Sequence, residues 1–408
     1  MNQWPSEHVL PWGPTQQVLG IYSVTAYGAT GNGTTNDTAA VQATIDAVPS
    51  TGGIVWFPPG TYKLVTSALT LKSNLTLAGA GTGASIIKQT TTTVNALAGV
   101  DVNNLTIRNL QIQGPASGSG NGLVLTRSVN PDVHYIRLDD VYIRQFGNDG
   151  LAISNCIVSA FDQVVCENNG RYGFYLYGVI AGAAGTSVAM NACFANTNTT
   201  AGFTLYNMVY TALTGCASEG HPTNYLLDTC QSVVLNGCGS ELMAVGGTGF
   251  KITGGFGNVL CGCWDLTNNG KAFWLTGSTY STNLIGLVEN TPGGSATASL
   301  KVDAGSTGIN LHGIVNTTAL SLAAGTTNIL NDGANGLTIH GYFYTDAASE
   351  FNNTVLFDQA VTHGGNVGFY GTTPIAKPTV TGSRGANAAL ASLLTALANL
   401  GLLTDSSS

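Results

Sequence analysis

The sequence predicts an all-β fold, a parallel β-helix in which short strands repeat from one turn of a solenoid to the next. Two ladders of apolar residues recur at intervals in the twenties, and such a period is typical of repeat architectures. The composition agrees, because 54 of 408 residues are Gly and only 8% are charged. Ordinary domains carry roughly 25% charged residues. Stacked strands joined by tight turns therefore account for both the periodicity and the composition.

The first ladder reads Leu-x-Gly-apolar and occurs five times in succession. It occupies Leu213 to Cys216, Leu235 to Cys238, Leu260 to Cys263, Leu284 to Leu287 and Leu311 to Ile314, at steps of 22, 25, 24 and 27 residues. One line of cysteines accompanies it, formed by Cys166, Cys193, Cys216, Cys238 and Cys263. Leu287 and Ile314 continue the same line, so we interpret these cysteines as small buried fillers rather than metal or redox ligands. We expect all eight cysteines to be reduced and buried.

The second ladder lies between the members of the first and reads Gly-apolar-x-apolar. It begins at Gly122, Gly150, Gly173, Gly202 and Gly249, and Asn224, Ala272 and Ala319 keep its place in other turns. Because alternate residues of a strand face opposite sides, the residue after each of these positions should point inward. The pattern therefore predicts an aromatic stack inside the solenoid, formed by Phe174, Phe203, Tyr225, Phe250 and Phe273. About ten turns at ~4.8 Å each would complete the solenoid.

Two helices are predicted near the ends of the chain. The first begins after Asn36 or Asp37 and runs to about Ala47, with an apolar face that would cover one end of the solenoid. That face comprises Val41, Ile45 and Val48. The second helix spans Asn387 to Leu400, and its seam must be buried on the same chain or against copies of it. The seam comprises Leu390, Leu393, Leu397 and Leu400.

Charge and hydropathy exclude several classes of function. A net charge of −8 with only 13 Lys plus Arg disfavours nucleic acid as a partner. No stretch approaches ~20 apolar residues, so membrane insertion is not expected. Met1 to Gly20 lacks the basic start and apolar core of a secretory signal, which disfavours Sec export. The cysteines include no CxxC pair, and we predict no cofactor and no metal site.

The segment from Tyr27 to Tyr62 resembles the N-terminal signature of the pectate-lyase superfamily, as found in many phage tailspikes and polysaccharide depolymerases. The pieces YGATGNG, NDTAAVQATIDA and GGIVWFPPGTY follow in the family's order. Asn32 stands where an Asp is usual, at a position that serves a turn. The resemblance implies a right-handed parallel β-helix with a short N-terminal capping helix, and it implies no particular activity. The C-terminal GFYGTTPIAKPTVTGSRGANAALASLLTALANLGLL is similar to tail segments of phage virion proteins.

These resemblances imply a bacteriophage virion fibre or tailspike that contacts a host surface polysaccharide. We expect a homotrimer, made in the host cytoplasm and attached to other virion proteins through its N-terminal arm. Two alternatives are an active polysaccharide depolymerase, either a glycoside hydrolase or a lyase, and a purely structural head or tail decoration fibre. The predicted domains are an anchoring arm over 1–20, a cap over 21–62, a β-helix over 63–330, an irregular region with β-structure over 331–386, and a helix with a tail over 387–408.

Acidic residues follow the first ladder on four successive turns, at Glu219, Glu241, Asp265 and Glu289. Residues at equivalent positions of neighbouring turns lie ~4.8 Å apart, so these acids could form the carboxylate pair that glycoside hydrolysis needs. We predict Glu219, Glu241 and Asp265 as catalytic residues. The alternative is a row of solvated acids along one edge. Calcium-dependent lyase chemistry is less favoured, because Lys251 and Lys271 are the only nearby lysines and neither lies in a recognisable motif.

Aromatic residues on the same turns offer stacking surfaces for sugar rings. We predict substrate-binding roles for Trp264, Trp274 and Tyr175, together with His221 and Glu289. The alternative is that a loop or a neighbouring subunit covers these aromatic side chains. We expect the acids and aromatics to meet in one patch on the turns from about 216 to 290.

Overall fold

The computed structural model describes residues 20–128, 133–179, 184–266, 270–290, 298–303, 305–315, 320–322, 327–330, 379–399 and 402–408. The chain divides into two compact units, Met1–Thr338 and Ile339–Ser408. The predicted arm lies outside the described residues except for Gly20, and so does the predicted irregular region up to residue 378. Within the described ranges, no helix is both long and apolar enough to cross a membrane.

The first unit is a parallel β-solenoid of about 11 turns, which confirms the predicted fold class. One strand of each turn joins an 11-stranded sheet, called sheet B, in which every neighbouring pair is parallel. The strands of sheet B are Leu69–Thr70, Leu97–Val100, Leu123–Thr126, Leu151–Ser154, Tyr172–Tyr177, Ala201–Tyr206, Thr223–Asp228, Thr248–Thr253, Lys271–Thr276, Ala298–Val302 and Leu320–Leu322.

The remaining strands of the solenoid form a 22-stranded sheet, called sheet A, in which most turns contribute two segments. Its strands are Ile21–Ser23, Asn32–Asn36, Gly53–Phe57, Gly60–Leu64, Leu75–Gly79, Ser85–Gln89, Leu105–Gln113, Val133–His134, Ile136–Arg144, Cys156–Glu167, Gly185–Asn191, Phe194–Asn196, Met208–Val209, Ala212–Thr214, Ala217–Glu219, Val234–Asn236, Gly239–Glu241, Val259–Cys261, Trp264–Leu266, Asn283–Asn290, Thr307–Val315 and Thr327–Leu330.

A corner separates the two segments of each turn in sheet A, and it explains the glycine of the first ladder. Gly215, Gly237, Gly262 and Gly286 all have φ between 58° and 60°. A left-handed backbone conformation costs glycine little free energy, whereas a residue with a side chain is strained in that conformation. In the earlier turns, Asn109, Asp140, Gln163 and Ala192 take the left-handed conformation instead. The ladder leucines pair in register across these turns, as predicted.

The predicted aromatic stack is confirmed. The rings of Phe174, Phe203, Tyr225, Phe250 and Phe273 follow one another with centroids 4.5, 5.0, 4.7 and 5.1 Å apart and nearly parallel planes. Each of these side chains is at most 1% exposed. The Tyr225 hydroxyl donates to a backbone carbonyl, with the oxygens of Cys216 and Gly239 each at 2.9 Å. The stack therefore accommodates one tyrosine without leaving its hydroxyl unsatisfied.

The glycines of the second ladder make room for inward polar side chains. A Cβ at Gly202 would lie 2.0 Å from the Ser218 hydroxyl oxygen, and one at Gly249 would lie 2.2 Å from Asp265 Oδ1. Neither glycine has a left-handed φ. Space inside the solenoid, rather than backbone conformation, therefore requires glycine at these positions.

Seven of the eight cysteines are buried, and all eight are free thiols, as the filler interpretation predicts. The expectation of complete burial was wrong for Cys261, which is partly exposed. Cys261 lies two residues before Cys263, but the corner at Gly262 separates them, so Cys261 faces outward while Cys263 faces the core.

The N-terminal helix spans Thr38–Ala47, preceded by a 3₁₀ turn over Val24–Tyr27. Its predicted apolar face is buried, with Val41, Ile45 and Val48 at most 2% exposed. The Asp37 carboxylate accepts hydrogen bonds from the backbone N–H groups of Thr30 and Gly31 at 2.7 and 3.1 Å, which ties the turn of the signature to the helix start. The strand Ile21–Ser23 before the signature and the strand Asn32–Asn36 within it both pair with later strands, so solenoid pairing begins ahead of residue 63.

The second unit contains a helix, Ala388–Asn399, and a parallel pair of strands, Thr379–Gly382 and Thr404–Ser407. Arg384 donates to the Asp405 carboxylate at 2.9 Å and closes this pair. Leu390 and Leu393 of the predicted seam are exposed, whereas Leu394 and Leu403 are buried. Leu397 is half-buried, and Leu400 lies outside the described residues.

Candidate functional site

Glu219 and Glu241 lie directly opposite each other on neighbouring parallel strands of sheet A. Both side chains face outward and are partly exposed. Neighbouring strands are ~4.8 Å apart, so the two carboxylates project side by side from the solenoid. Burial raises the pKa of Glu219, and the negative charge of Glu241 raises it further. Both effects make Glu219 easier to protonate than an isolated glutamate.

An open gap between two aromatic side chains lies beside this pair. Phe194, Ala217, Gly239 and Trp264 follow one another in register on the same outer face. A Cβ at Gly239 would meet nothing within 4 Å, and Trp264 is 49% exposed. Three strand spacings separate the aromatic residues, a distance of ~14 Å. We call this surface the carboxylate face, formed by Phe194, Ala217, Glu219, Gly239, Glu241 and Trp264.

Asp265 and Glu289 face the inside of the solenoid, where they are 0% and 1% exposed. The two acids lie opposite each other on neighbouring strands of sheet A. Ser240 lies opposite Asp265 on the strand of the preceding turn. Glu219 and Glu241 stand three residues after their ladder cysteines, whereas Asp265 stands two after its own. Because side chains alternate along a strand, this difference of one residue reverses the direction. The expectation that four acids line one edge was therefore wrong, and so was the alternative of four solvated acids.

His221 belongs to a buried hydrogen-bond chain and not to the surface predicted for it. Its Nε2 lies 3.0 Å from Asn198 Nδ2, and its Nδ1 lies 2.8 Å from Asn224 Oδ1. Asn198 accepts from Asn169 at 2.8 Å, and Asn224 donates to the Ser240 hydroxyl at 2.7 Å. Burial lowers the pKa of His221 to about 4, although the hydrogen bond with Asn224 opposes the shift. A neutral imidazole that donates from Nδ1 and accepts at Nε2 satisfies both neighbours.

Tyr175 and Trp274 lie on sheet B, so the structure does not bring them together with the carboxylate face. Both side chains face outward. The Tyr175 ring stacks on Tyr177 at 4.4 Å, and the Arg171 guanidinium lies 5.2 Å from the Tyr175 ring. The predicted single patch over 216–290 is thus divided between two sheets.

Sequence reasoning missed Phe194, Ala217 and Gly239 as parts of the carboxylate face. Ala217 and Gly239 stand two residues before Glu219 and Glu241. The period of two that predicted the inward aromatic residues would therefore have placed them beside the acids. Among the described residues, no group of three or more His, Cys, Asp or Glu could hold a metal ion.

Comparison with known proteins agrees with the fold. A family model described as rhamnogalacturonase A/epimerase, pectate lyase-like, matches residues 21–238, more than half of the chain. Mannuronan C5-epimerase AlgE6 of Azotobacter vinelandii is 35% identical over 107 residues, 23% of this chain and 12% of that protein. Depolymerase 1, capsule KN3-specific, of Klebsiella phage KN3-1 is 28% identical over 182 residues, 37% of this chain and 22% of that protein.

Among solved structures, full-length tailspike protein 2 of an Escherichia coli O157:H7 bacteriophage aligns with a TM-score of 0.60 at 17% identity. The alignment covers 78% of this chain and 47% of the tailspike. The chain spans less than a quarter of the length of the two curated relatives. The match over residues 21–238, which includes the signature, the N-terminal helix and the first seven strands of sheet B, shows that this chain belongs to the rhamnogalacturonase A/epimerase, pectate lyase-like family.

Proposed function

We propose that this protein is a bacteriophage virion fibre or tailspike whose solenoid contacts a polysaccharide of the host surface. The observation that carries the proposal is the carboxylate face, where an open gap lies between Phe194 and Trp264 beside two carboxylates. Aromatic faces stack on sugar rings, and carboxylates accept hydrogen bonds from sugar hydroxyls. The similarity to a phage capsule depolymerase supports the same assignment.

The adjacent carboxylates favour a second candidate function, hydrolysis of the bound glycan. Carboxyl groups ~5 Å apart characterise retaining glycosidases, in which one residue protonates the leaving oxygen while the other attacks the anomeric carbon and forms a glycosyl-enzyme. Water, deprotonated by the first residue, then cleaves that bond and releases the sugar. The raised pKa of Glu219 favours it as the proton donor, which leaves Glu241 as the nucleophile. Asp265 was predicted as a third catalytic residue, but its side chain is 0% exposed inside the solenoid and does not face the carboxylate pair's side of the sheet.

The experiment is incubation of the full chain with host capsule or lipopolysaccharide and measurement of new reducing ends. Glu219→Gln and Glu241→Gln should each lower the rate by ~10²-fold or more, the usual worth of a general acid or base. Glu167→Gln is the matched control, because Glu167 faces outward in the same column two turns away. An active protein that keeps its rate in both glutamine variants would show that this pair is not catalytic. Asp265→Asn tests the third residue in the same assay.

The homotrimer and the attachment of the arm to other virion proteins remain part of this proposal. Leu390 and Leu393 are 38% and 55% exposed on the C-terminal helix. A second and a third copy of the chain would cover such a seam around a three-fold axis. The location on the virion rests on the resemblance to phage proteins and on the similarity to the Klebsiella phage depolymerase.

A further inference from the structure

The first segment of each turn in sheet A is uncharged on five successive turns of the solenoid. These segments span 185–192, 208–215, 231–237, 256–262 and 280–286, and none of them contains Asp, Glu, Lys or Arg. Ala189, Ala212, Val234 and Val259 lie opposite one another on successive strands, and all four are partly exposed on the outer side. We call the outward residues of these five segments the neutral face.

Large apolar side chains are exposed along both margins of the neutral face. Phe256 and Tyr280 lie opposite each other on neighbouring turns and are 50% and 46% exposed. Tyr210 is 67% exposed two turns before Phe256, and Ile285 is 37% exposed at the opposite margin. Single exposed apolar residues are normal on a monomer, whereas a row of them along one face marks an interaction surface. Over five turns this row extends for ~19 Å.

The other strand faces of these turns carry charge. Glu219 and Glu241 project from the second segment of sheet A. On sheet B, the ammonium groups of Lys251 and Lys271 lie 4.5 and 4.7 Å from the centre of the Trp274 ring. Charges that are brought against copies of themselves repel each other. Among the described strands of these turns, only the neutral face can therefore pack against its own copies without contact between like charges.

We infer that the neutral face is the surface at which three copies of this chain meet. This inference rests on the proposed function, which it deepens by naming the part of the solenoid that joins the copies of the homotrimer. A three-fold axis brings one face of each copy toward the same face of two others. Parallel copies share the ~4.8 Å spacing between turns, so the rows of one solenoid can fit between the rows of the next along the whole face.

The same arrangement leaves the carboxylate face accessible. Left-handed corners at Gly215, Gly237 and Gly262 separate the neutral face from the segments that carry Glu219 and Glu241. Copies that pack through the neutral face hold their carboxylate faces toward solvent, where a polysaccharide can reach each of them.

The test is light scattering of the full chain over a dilution series, with Val234→Asp compared against Val165→Asp. Val165 is the matched control, because it also faces outward from sheet A but lies on the second segment. Val234→Asp should weaken the trimer by ~10²-fold or more, since three like charges would meet around the axis, whereas Val165→Asp should assemble as the wild type does. Thr214→Lys/Asn236→Lys should give the same loss through two exposed residues of the neutral face, without replacing an apolar side chain.

Cys261 provides a second readout within the natural sequence. It lies on the neutral face opposite Asn236, and it is partly exposed while the other seven cysteines are buried. An aromatic disulfide reagent, which releases one coloured thiolate for each cysteine that it modifies, should react with Cys261 ~10-fold or more faster in Val234→Asp than in the wild-type trimer. Release of one thiolate per chain, rather than one for each of the eight cysteines, shows that the variant is folded.

A trimer that survives both Val234→Asp and Thr214→Lys/Asn236→Lys would overturn the inference, and so would equal dissociation of Val165→Asp. An intact trimer with weakened polysaccharide binding would show that the neutral face contacts glycan instead of a second copy. A monomeric wild-type chain would remove the trimer altogether, whereas its polysaccharide binding, measured in parallel, tests the proposed function separately.

Discussion

His221 should make the solenoid less stable as the pH falls. In the folded chain its pKa is about 4, against an ordinary value of 6.5. The unfolded chain therefore binds more protons between pH 6.5 and pH 4, and stability rises with pH across that window. The contribution is complete above pH 6.5 and lost below pH 4. The difference between these two pKa values corresponds to about 3 kcal/mol of stability, of which about 2 kcal/mol is lost by pH 5.

Hydrogen exchange offers a local measurement, since long repeat proteins need not unfold in one step. Between pH 7 and pH 5, the strand Thr223–Asp228 should lose about 30-fold in protection, after correction for intrinsic exchange rates. His221→Gln should show a much smaller loss, because a glutamine can accept from Asn198 and donate to Asn224 without titrating. The distant strand Leu97–Val100 serves as the internal control. Equal losses in the two proteins would refute the assignment of a neutral, buried His221.

Three further predictions concern packing and assembly. Phe250→Ala should destabilise the solenoid by about 3–5 kcal/mol in thermal unfolding, because it removes a central ring of the stack, and a loss under ~1 kcal/mol would contradict the stack. Gly249→Ala should lower the free energy of unfolding by about 1–3 kcal/mol, since the added Cβ would lie 2.2 Å from Asp265 Oδ1. Gly239→Ala should leave the free energy of unfolding unchanged, because its Cβ would project into open space. Truncation after Gly385 should abolish the trimer, as measured by light scattering. An unchanged trimer would show that the C-terminal helix is only a cap. A monomeric full-length chain would contradict the proposed trimeric fibre.

The sequence predicted features that repeat identically from turn to turn. The aromatic stack and the cysteine line followed from residues at constant offsets from the ladders, because register in a parallel stack is set by the inward pattern. The corner conformation also left a signal, since glycine recurs where φ is near +60° at Gly215, Gly237 and Gly262. These predictions needed no knowledge of the distances between side chains.

The site could be predicted only in part, because a change of one position along a strand reverses the side of the sheet to which a side chain points. Asp265 and Glu241 differ by one position relative to the ladder, and that difference reverses which side of the sheet each occupies. His221 lies in a bend between the strands Ala217–Glu219 and Thr223–Asp228, so the alternation of strand residues did not indicate that it is buried. Lys251, Lys271 and Lys301 all lie 4.5 to 4.9 Å from the centre of the Trp274 ring, and this convergence becomes visible only when the register of three strands is known.

Contact between the carboxylate face and a host polysaccharide is tested most directly by equilibrium binding of the full chain to purified capsule and lipopolysaccharide from candidate hosts. Trp264→Ala should weaken binding by about tenfold, because loss of one aromatic stacking contact is worth about 1.4 kcal/mol. Trp56→Ala, which changes a partly buried tryptophan elsewhere on sheet A, should bind as the wild type does. Unchanged binding by the Trp264→Ala variant would show that the carboxylate face does not contact the polysaccharide.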